Sequence, residues 1–268
     1  MYPHLNNDEV GLRTLQLQAE NTCNLSCVYC GPEYSSRWEQ ILLHGSSKRN
    51  VPVLADSDLM KLEMLTLAGG EPSLIKSNVL LLKRMLIMNQ GCEIVVNTNL
   101  TTYQNNPFWE LLKQFPNVKV IVSFESRGQR FEYIRYPAQW SVFESNWRQV
   151  TRDFERVEAS MILFPLTAWA IQEAIYFASC HISQDRIFIN PYYGSAVSWS
   201  DLAKSRIDFL RQDLVQYSEM LLPVLQDQLL EFAQNMYSDR DITHMPGIEK
   251  IDSQRGIRHQ EIFGELYE

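Results

Sequence analysis

A partial (β/α)6 barrel of the TIM type, followed by a helical extension, is the fold this sequence predicts, and three observations predict it. Six short apolar or alternating segments read as strands, and each is followed by a stretch with helical periodicity. Strands that alternate with helices pair in parallel, with right-handed crossovers. From Asp201 onward the strand runs stop and long helical stretches take over. With 268 residues, 45% apolar and 21% charged, the chain can bury a sizeable core without staples.

The first strand is LRTLQLQ at 12–18, which alternates and runs straight into a cysteine-rich loop. SSRWEQILLH follows as a helix with Ser35 or Ser36 at its N-cap, and then the polar loop GSSKRNVPVLADSD. LEMLTLAGGEP is a buried strand closing on a glycine pair, and SNVLLLKRMLIMNQG is a helix that Gly91 stops. CEIVVNTNLT is the third strand. NPFWELLKQFP is the third helix, with Asn106 at the cap and Pro107 in its first position. NVKVIVSFES is the fourth strand, and an aromatic, arginine-rich connector leads from it into the helix QWSVFESNWRQVTRDF. VEASMILFPLT, AWAIQEAIYFASC and DRIFINPYY complete the pattern as strand, helix and strand. The barrel is expected over 1–195, with a helical extension over 196–268, interrupted at Pro223, packed on it.

A formal charge of −8 and the absence of long basic runs argue against a non-specific footprint on nucleic-acid phosphate. The start, MYPHLNNDEVGL, has neither the cationic residues nor the apolar run of a secretory signal, and charges interrupt every apolar segment short of membrane length. A cytoplasmic protein without a membrane partner is expected. No G-x-S-x-G, P-loop or H-E-x-x-H pattern is present, and the five histidines form no ligand spacing.

Three of the five cysteines fall in the loop ENTCNLSCVYCGP at 20–32. Cys23, Cys27 and Cys30 have the spacing C-x3-C-x2-C, which lets three thiolates of one loop converge on one metal centre. Structural zinc sites take four protein ligands, so three thiolates alone suit zinc poorly. An iron–sulfur cube is normally held by four cysteines, and three would leave one iron free for another ligand. Cys92 and Cys180 belong to no cluster and read as buried small hydrophobes.

The stretch CNLSCVYC resembles the signature of the radical S-adenosylmethionine enzymes, C-x3-C-x-aromatic-C at the end of the first strand of a partial barrel. The resemblance implies a [4Fe–4S] cluster on Cys23, Cys27 and Cys30 whose open iron chelates S-adenosylmethionine. Reductive cleavage would then give methionine and a 5′-deoxyadenosyl radical, which would abstract a hydrogen atom from a substrate. It also implies a reductant such as flavodoxin or ferredoxin.

AGGEP, at 68–72, matches the Gly-Gly-Glu segment of that family. Gly69 and Gly70 would let the main chain approach the ligand, Glu71 would accept from its ammonium group, and Pro72 would stiffen the exit. Tyr29 stands where the family places an aromatic residue near the adenine. SFES resembles a Ser-x-Glu pattern, so Ser123 and Glu125 are candidates for the ribose and the methionyl end. The strand-end residues Asn97, Thr98, Asn99 and Asn190 are further candidates to face cofactor or substrate. RGQRFEYIRYPAQW resembles the corresponding stretch of the SPASM and twitch groups, with Arg135 the candidate partner of the cofactor carboxylate. The tail IDSQRGIRHQEIFGEL resembles the end of phage-associated twitch-domain proteins of this superfamily. Only Cys92 and Cys180 remain as further ligands, so no auxiliary cluster is expected. The substrate class stays open between a peptide or protein side chain and a nucleotide-type small molecule. The competing reading is a non-catalytic, metal-stabilised partner-binding module.

Overall fold

Six parallel strands form one sheet in sequential order: β1 (Thr14–Leu17), β2 (Met64–Leu67), β3 (Glu93–Thr98), β4 (Val118–Ser123), β5 (Arg156–Leu163) and β6 (Ile187–Pro191). The computed structural model describes residues 12–18, 20–43, 53–192 and 198–267. Parallel neighbours need crossovers, and helices supply them. Between β1 and β2 lie α1 (Ser36–Leu43) and the short α2 (Asp56–Leu59), and α3 (Lys76–Met88) and α4 (Pro107–Leu112) follow β2 and β3. After β4 come α5 (Gly128–Ile134) and α6 (Trp140–Asp153), and α7 (Ile171–Ser179) joins β5 to β6. The α/β partial barrel expected from the sequence is the one observed, with β1 and β6 at its open edges.

Burial alternates along the central strands. In β4, Val118, Val120 and Val122 are buried, whereas Lys119, Ile121 and Ser123 are half-buried, and β5 alternates in the same way. A sheet covered equally on both faces would bury every residue, so one face lies under helices and the other is a less covered, concave face. The covered side is aromatic. The ring of Phe124 sits 5.1 Å from Phe143, 5.2 Å from Trp147 and 5.9 Å from Phe177, joining the end of β4 to α6 and α7. Phe143 and Trp147 can both reach it because residues four apart share a helix face.

The concave side is polar. Lys119 Nζ lies 3.5 Å from Glu158 Oε1, and Asn190 Nδ2 donates to Ser160 Oγ at 3.0 Å.

The caps follow the sequence closely. Asn106 accepts from the Phe108 N–H at 2.9 Å with Pro107 in the first turn, and Ser35 Oγ accepts from the Trp38 N–H at 3.2 Å. Two elements were not read. The arginine-rich connector holds α5, and Asp56–Leu59, at the end of the expected polar loop and one residue past it, form α2. One expectation is corrected: Cys92 is buried as read, but Cys180, at the end of α7, is exposed.

The extension is helical, with α8 (Lys204–Ser218), α9 (Pro223–Asn235) and α10 (Pro246–Arg255). Pro223 opens α9, where its missing N–H costs nothing. Gln228 on α9 accepts from the Ile189 N–H of β6 at 2.7 Å, and Gln172 on α7 donates to Asp213 on α8 at 2.6 Å. The boundary expected at 195/196 and the N-terminal stretch 1–11 lie outside the described residues. Among the described residues no helix is long and apolar enough to cross a membrane.

At the far end of α6, Tyr103 donates to Asp153 Oδ2 at 2.6 Å, and Lys113 Nζ lies 3.0 Å from the same oxygen. Burial alone would raise the Asp153 pKa, but Tyr103 and Lys113 outweigh it and hold the carboxyl below the usual aspartate range. A depressed folded pKa gives stability that is present above the ordinary aspartate value and lost as pH falls through the folded one. Asp153→Asn should therefore cost less than about 1 kcal/mol at neutral pH, the carboxylate being partly exposed. The urea midpoints of the two proteins should converge on acidification.

Candidate functional site

The C-terminal ends of parallel strands share one edge, where α/β folds gather their ligands. The chain leaves β1 there and enters the cysteine loop. Cys27 is buried, and Cys23 and Cys30 are half-buried. The loop is tied on several sides. Ser26 and Val28, which flank Cys27, donate their N–H groups to Tyr136 O at 2.7 Å and Ile134 O at 2.8 Å. Trp38 Nε1 donates to Cys27 O at 2.8 Å, and the Cys23 N–H reaches Ser36 Oγ at 3.1 Å. Burial pushes the Cys23 and Cys30 thiols up to about 12. Burial also raises Cys27, against the pull of Arg135.

The glycine pair lies directly against this loop. The Gly70 N–H donates to Glu20 O at 3.3 Å and the Glu71 N–H to Thr22 O at 2.7 Å. A Cβ on Gly70 would sit 2.2 Å from Thr22 O, and Gly69 has φ +118° with Glu20 O 2.7 Å from its Cβ position. Only glycine allows so close a backbone approach. Glu71 is fully buried. Its carboxylate accepts from Ser73 Oγ at 2.6 Å, the Ser73 N–H at 3.2 Å, Thr98 Oγ1 at 2.9 Å and the Asn99 N–H at 2.7 Å. Burial raises its pKa, and these four donors oppose the rise. Glu71 thus joins the glycine turn to the end of β3. Asn99 carries the connection onward, donating to Asn24 Oδ1 at 3.2 Å with Cys23 Sγ 3.8 Å away. Pro72 opens a 3-10 turn and is buried.

A second group closes the mouth. Tyr29 donates to Glu125 Oε1 at 2.9 Å, and Arg135 grips both oxygens of Glu125, with Nε to Oε2 at 2.9 Å and Nη2 to Oε1. The carboxylate is fully buried and the guanidinium 3% exposed. Burial opposes the Arg135 charge, but Glu125 beside it more than offsets this and holds the guanidinium above its ordinary value. The Tyr29 ring lies 5.7 Å from Phe164 and 6.2 Å from Tyr192, past the ends of β5 and β6. Ser123 stands opposite Ser160 in the register of β4 and β5 and faces the concave side with Asn190.

The structure therefore gathers Cys23, Gly69, Gly70, Glu71 and Asn99 into one connected patch, and Tyr29, Glu125 and Arg135 into a second. Among the described residues no group of three or more His, Cys, Asp or Glu side chains could hold a single metal ion. Sequence reasoning missed Ser73, Trp38 and Arg255. Ser73 stands two residues after Glu71, where a capping reading of the glycine turn could have found it.

No protein-family model matches the chain, and no curated protein matches it. Solved structures do match. SuiB of Streptococcus suis bound to the precursor peptide SuiA aligns with a TM-score of 0.52 and 13% identity, over 78% of this chain and 46% of that one. The tagged form of anSMEcpe with bound AdoMet aligns at 0.55 and 15% identity, over 82% and 62%. SuiB bound to S-adenosylmethionine aligns at 0.50 and 10% identity, over 91% and 50%. The chain spans about half the length of SuiB and less than two thirds of anSMEcpe. At these identities the likeness shows a shared fold, the partial barrel of proteins crystallised with S-adenosylmethionine.

Proposed function

We propose that the chain is a radical S-adenosylmethionine enzyme, with Cys23, Cys27 and Cys30 as ligands of a [4Fe–4S] cluster. One observation carries this reading: the three-cysteine loop and the glycine turn are stitched backbone to backbone at the strand ends of a fold shared with S-adenosylmethionine-bound proteins. The donor set fits the group. Cys23, Cys27 and Cys30 supply three thiols from one loop, Cys27 buried and the other two half-buried, and the cysteines of a cube each hold a different iron.

When bound, such a cluster supplies the electron that splits S-adenosylmethionine into methionine and a 5′-deoxyadenosyl radical. The residues of this chain bind, orient and shield. The carboxylate of Glu71 is already committed to Ser73, Thr98 and Asn99, so its part is to fix the turn, leaving the backbone of Gly69 and Gly70 for the ammonium group. Arg135 is likewise committed to Glu125, and the pair holds Tyr29 at the mouth, where its ring can pack on the adenine. Ser123 is our candidate for a ribose hydroxyl. The aromatic wall of Tyr29, Phe164 and Tyr192 keeps water from a radical. The peptide complexes of SuiB and anSMEcpe favour a peptide or protein side chain as substrate over a nucleotide-type molecule. A flavodoxin or ferredoxin would supply the electron, in the cytoplasm.

Anaerobic reconstitution tests the reading. The wild-type chain should take up about four irons, the content of one cube, and release 5′-deoxyadenosine from S-adenosylmethionine once reduced. Cys27→Ala should lose both properties and Cys180→Ala neither. One equivalent of zinc, with no nucleoside released, would establish the metal-stabilised module instead.

A further inference from the structure

We propose that Arg255, in the last turn of α10, is a positioning residue for the cysteine loop, so that the C-terminal extension sets the order of that loop. Its consequence for iron rests on the function proposed above, whereas its geometry does not.

The seam between the cysteine loop and the stretch from α5 to Tyr136 includes two backbone hydrogen bonds that flank Cys27, Ser26 N–H to Tyr136 O and Val28 N–H to Ile134 O. Ser26 Oγ also donates to Tyr136 O at 3.3 Å. Arg255 brackets this seam from both sides, across 229 residues of sequence. Its Nη2 donates to Ser26 O, on the loop, and its Nη1 donates to Tyr133 O at 2.7 Å, on α5. The guanidinium lies 4.8 Å from the ring centre of Tyr136, 5.5 Å from Tyr133 and 5.8 Å from Trp38. Trp38 in turn holds Cys27 O. One planar cation thus engages two carbonyls and three rings, all of them on the segments that frame Cys27.

The side chain is held in place from behind. Gly256, with φ +66°, ends α10 in the left-handed conformation and turns the chain back. His259, fully buried, then meets Asp252 through its N–H at 2.9 Å and its Nδ1 at 2.6 Å, and Asp252 also accepts from the Tyr133 hydroxyl. Asp252 and Arg255 leave the same helix one turn apart and grip the same residue of α5, one by its hydroxyl and the other by its carbonyl. A lysine would reproduce the contact only in part, because an ammonium is a point charge that lacks the planar, widely spaced donor fork and the flat face with which a guanidinium stacks on rings.

Amide hydrogen exchange on the apo-protein tests the assignment. In Arg255→Ala the amides of Ser26 and Val28 should exchange about tenfold faster or more, the effect of losing charge-assisted hydrogen bonds that hold a local opening closed. Core amides such as Val120 and Val122 should keep wild-type protection, which separates positioning from general loss of stability. Arg255→Lys should recover the loop only in part. Arg258→Ala, which removes an exposed partner of Glu261, should change nothing at the loop. After reconstitution a chelator should strip iron from Arg255→Ala about tenfold faster, in keeping with the same opening. A folded Arg255→Ala with wild-type exchange at Ser26 and Val28 overturns the proposal. If that variant does not fold, wild-type exchange in Arg255→Lys overturns it equally. Should the wild-type chain take up no iron, the cluster reading falls while the exchange rates still decide the role of Arg255.

Discussion

Glu125→Ala should destabilise the protein by about 3–5 kcal/mol, the usual cost of removing one member of a buried ion pair and leaving the other charged. The pair is among the least accessible charges described, with the carboxylate fully buried and the guanidinium 3% exposed. Arginine does not escape by losing its proton, so Arg135 would stay charged beneath the cysteine loop with its main acceptor gone. Tyr29 would lose its acceptor at the same time. Glu125→Gln keeps the shape and one acceptor oxygen and should cost less. The decisive comparison is the double variant Glu125→Gln, Arg135→Met, which removes both charges at nearly constant volume. It should be more stable than Glu125→Ala, because the uncompensated charge and not the lost contact is the larger cost. Urea denaturation of the variants measures this, and equal stability of the single and double variants would deny that the charge decides.

What the sequence revealed and what it concealed divide by distance along the chain. The strands were legible because apolar runs of strand length alternate with helical periodicity, and the caps Ser35 and Asn106 act on residues two or three positions away. The cysteine spacing and the AGGEP segment were legible for the same reason, since each is a local pattern. The helix α5 was not, because it starts at Gly128 without a side-chain cap and its aromatic and basic residues show no clear apolar stripe. The roles of the site residues depend on partners far off: Glu71 on Asn99, 28 residues on, Tyr29 on Glu125, 96 residues on, and Arg255 on Ser26. A sequence shows that an arginine is present. Only the fold shows that Arg135 is already taken by Glu125, and that Arg255, in the distant C-terminal tail, reaches the cysteine loop.

Gly70→Ala should be nearly as damaging, for a steric reason. The added Cβ would stand 2.2 Å from Thr22 O, 2.6 Å from Thr22 C and 2.7 Å from Asn21 C, all of them backbone atoms that cannot rotate away. Either the glycine turn or the start of the cysteine loop must move, and the hydrogen bond from the Glu71 N–H to Thr22 O lies across that gap. Overpacking of this kind and an unsatisfied backbone group together cost roughly 3 kcal/mol or more. Gly91→Ala is the control, because nothing lies within 4 Å of its Cβ position, and it should stay within about 0.5 kcal/mol of wild type. Thr22 precedes Cys23 directly, so a displacement there passes straight into the three-cysteine loop. Gly70→Ala should therefore lose iron uptake on reconstitution even at temperatures where it remains folded, while Glu125→Ala should lose stability first. A Gly70→Ala protein with wild-type stability and full iron content would show that the stitched contact is dispensable, and with it the observation on which the proposed function rests.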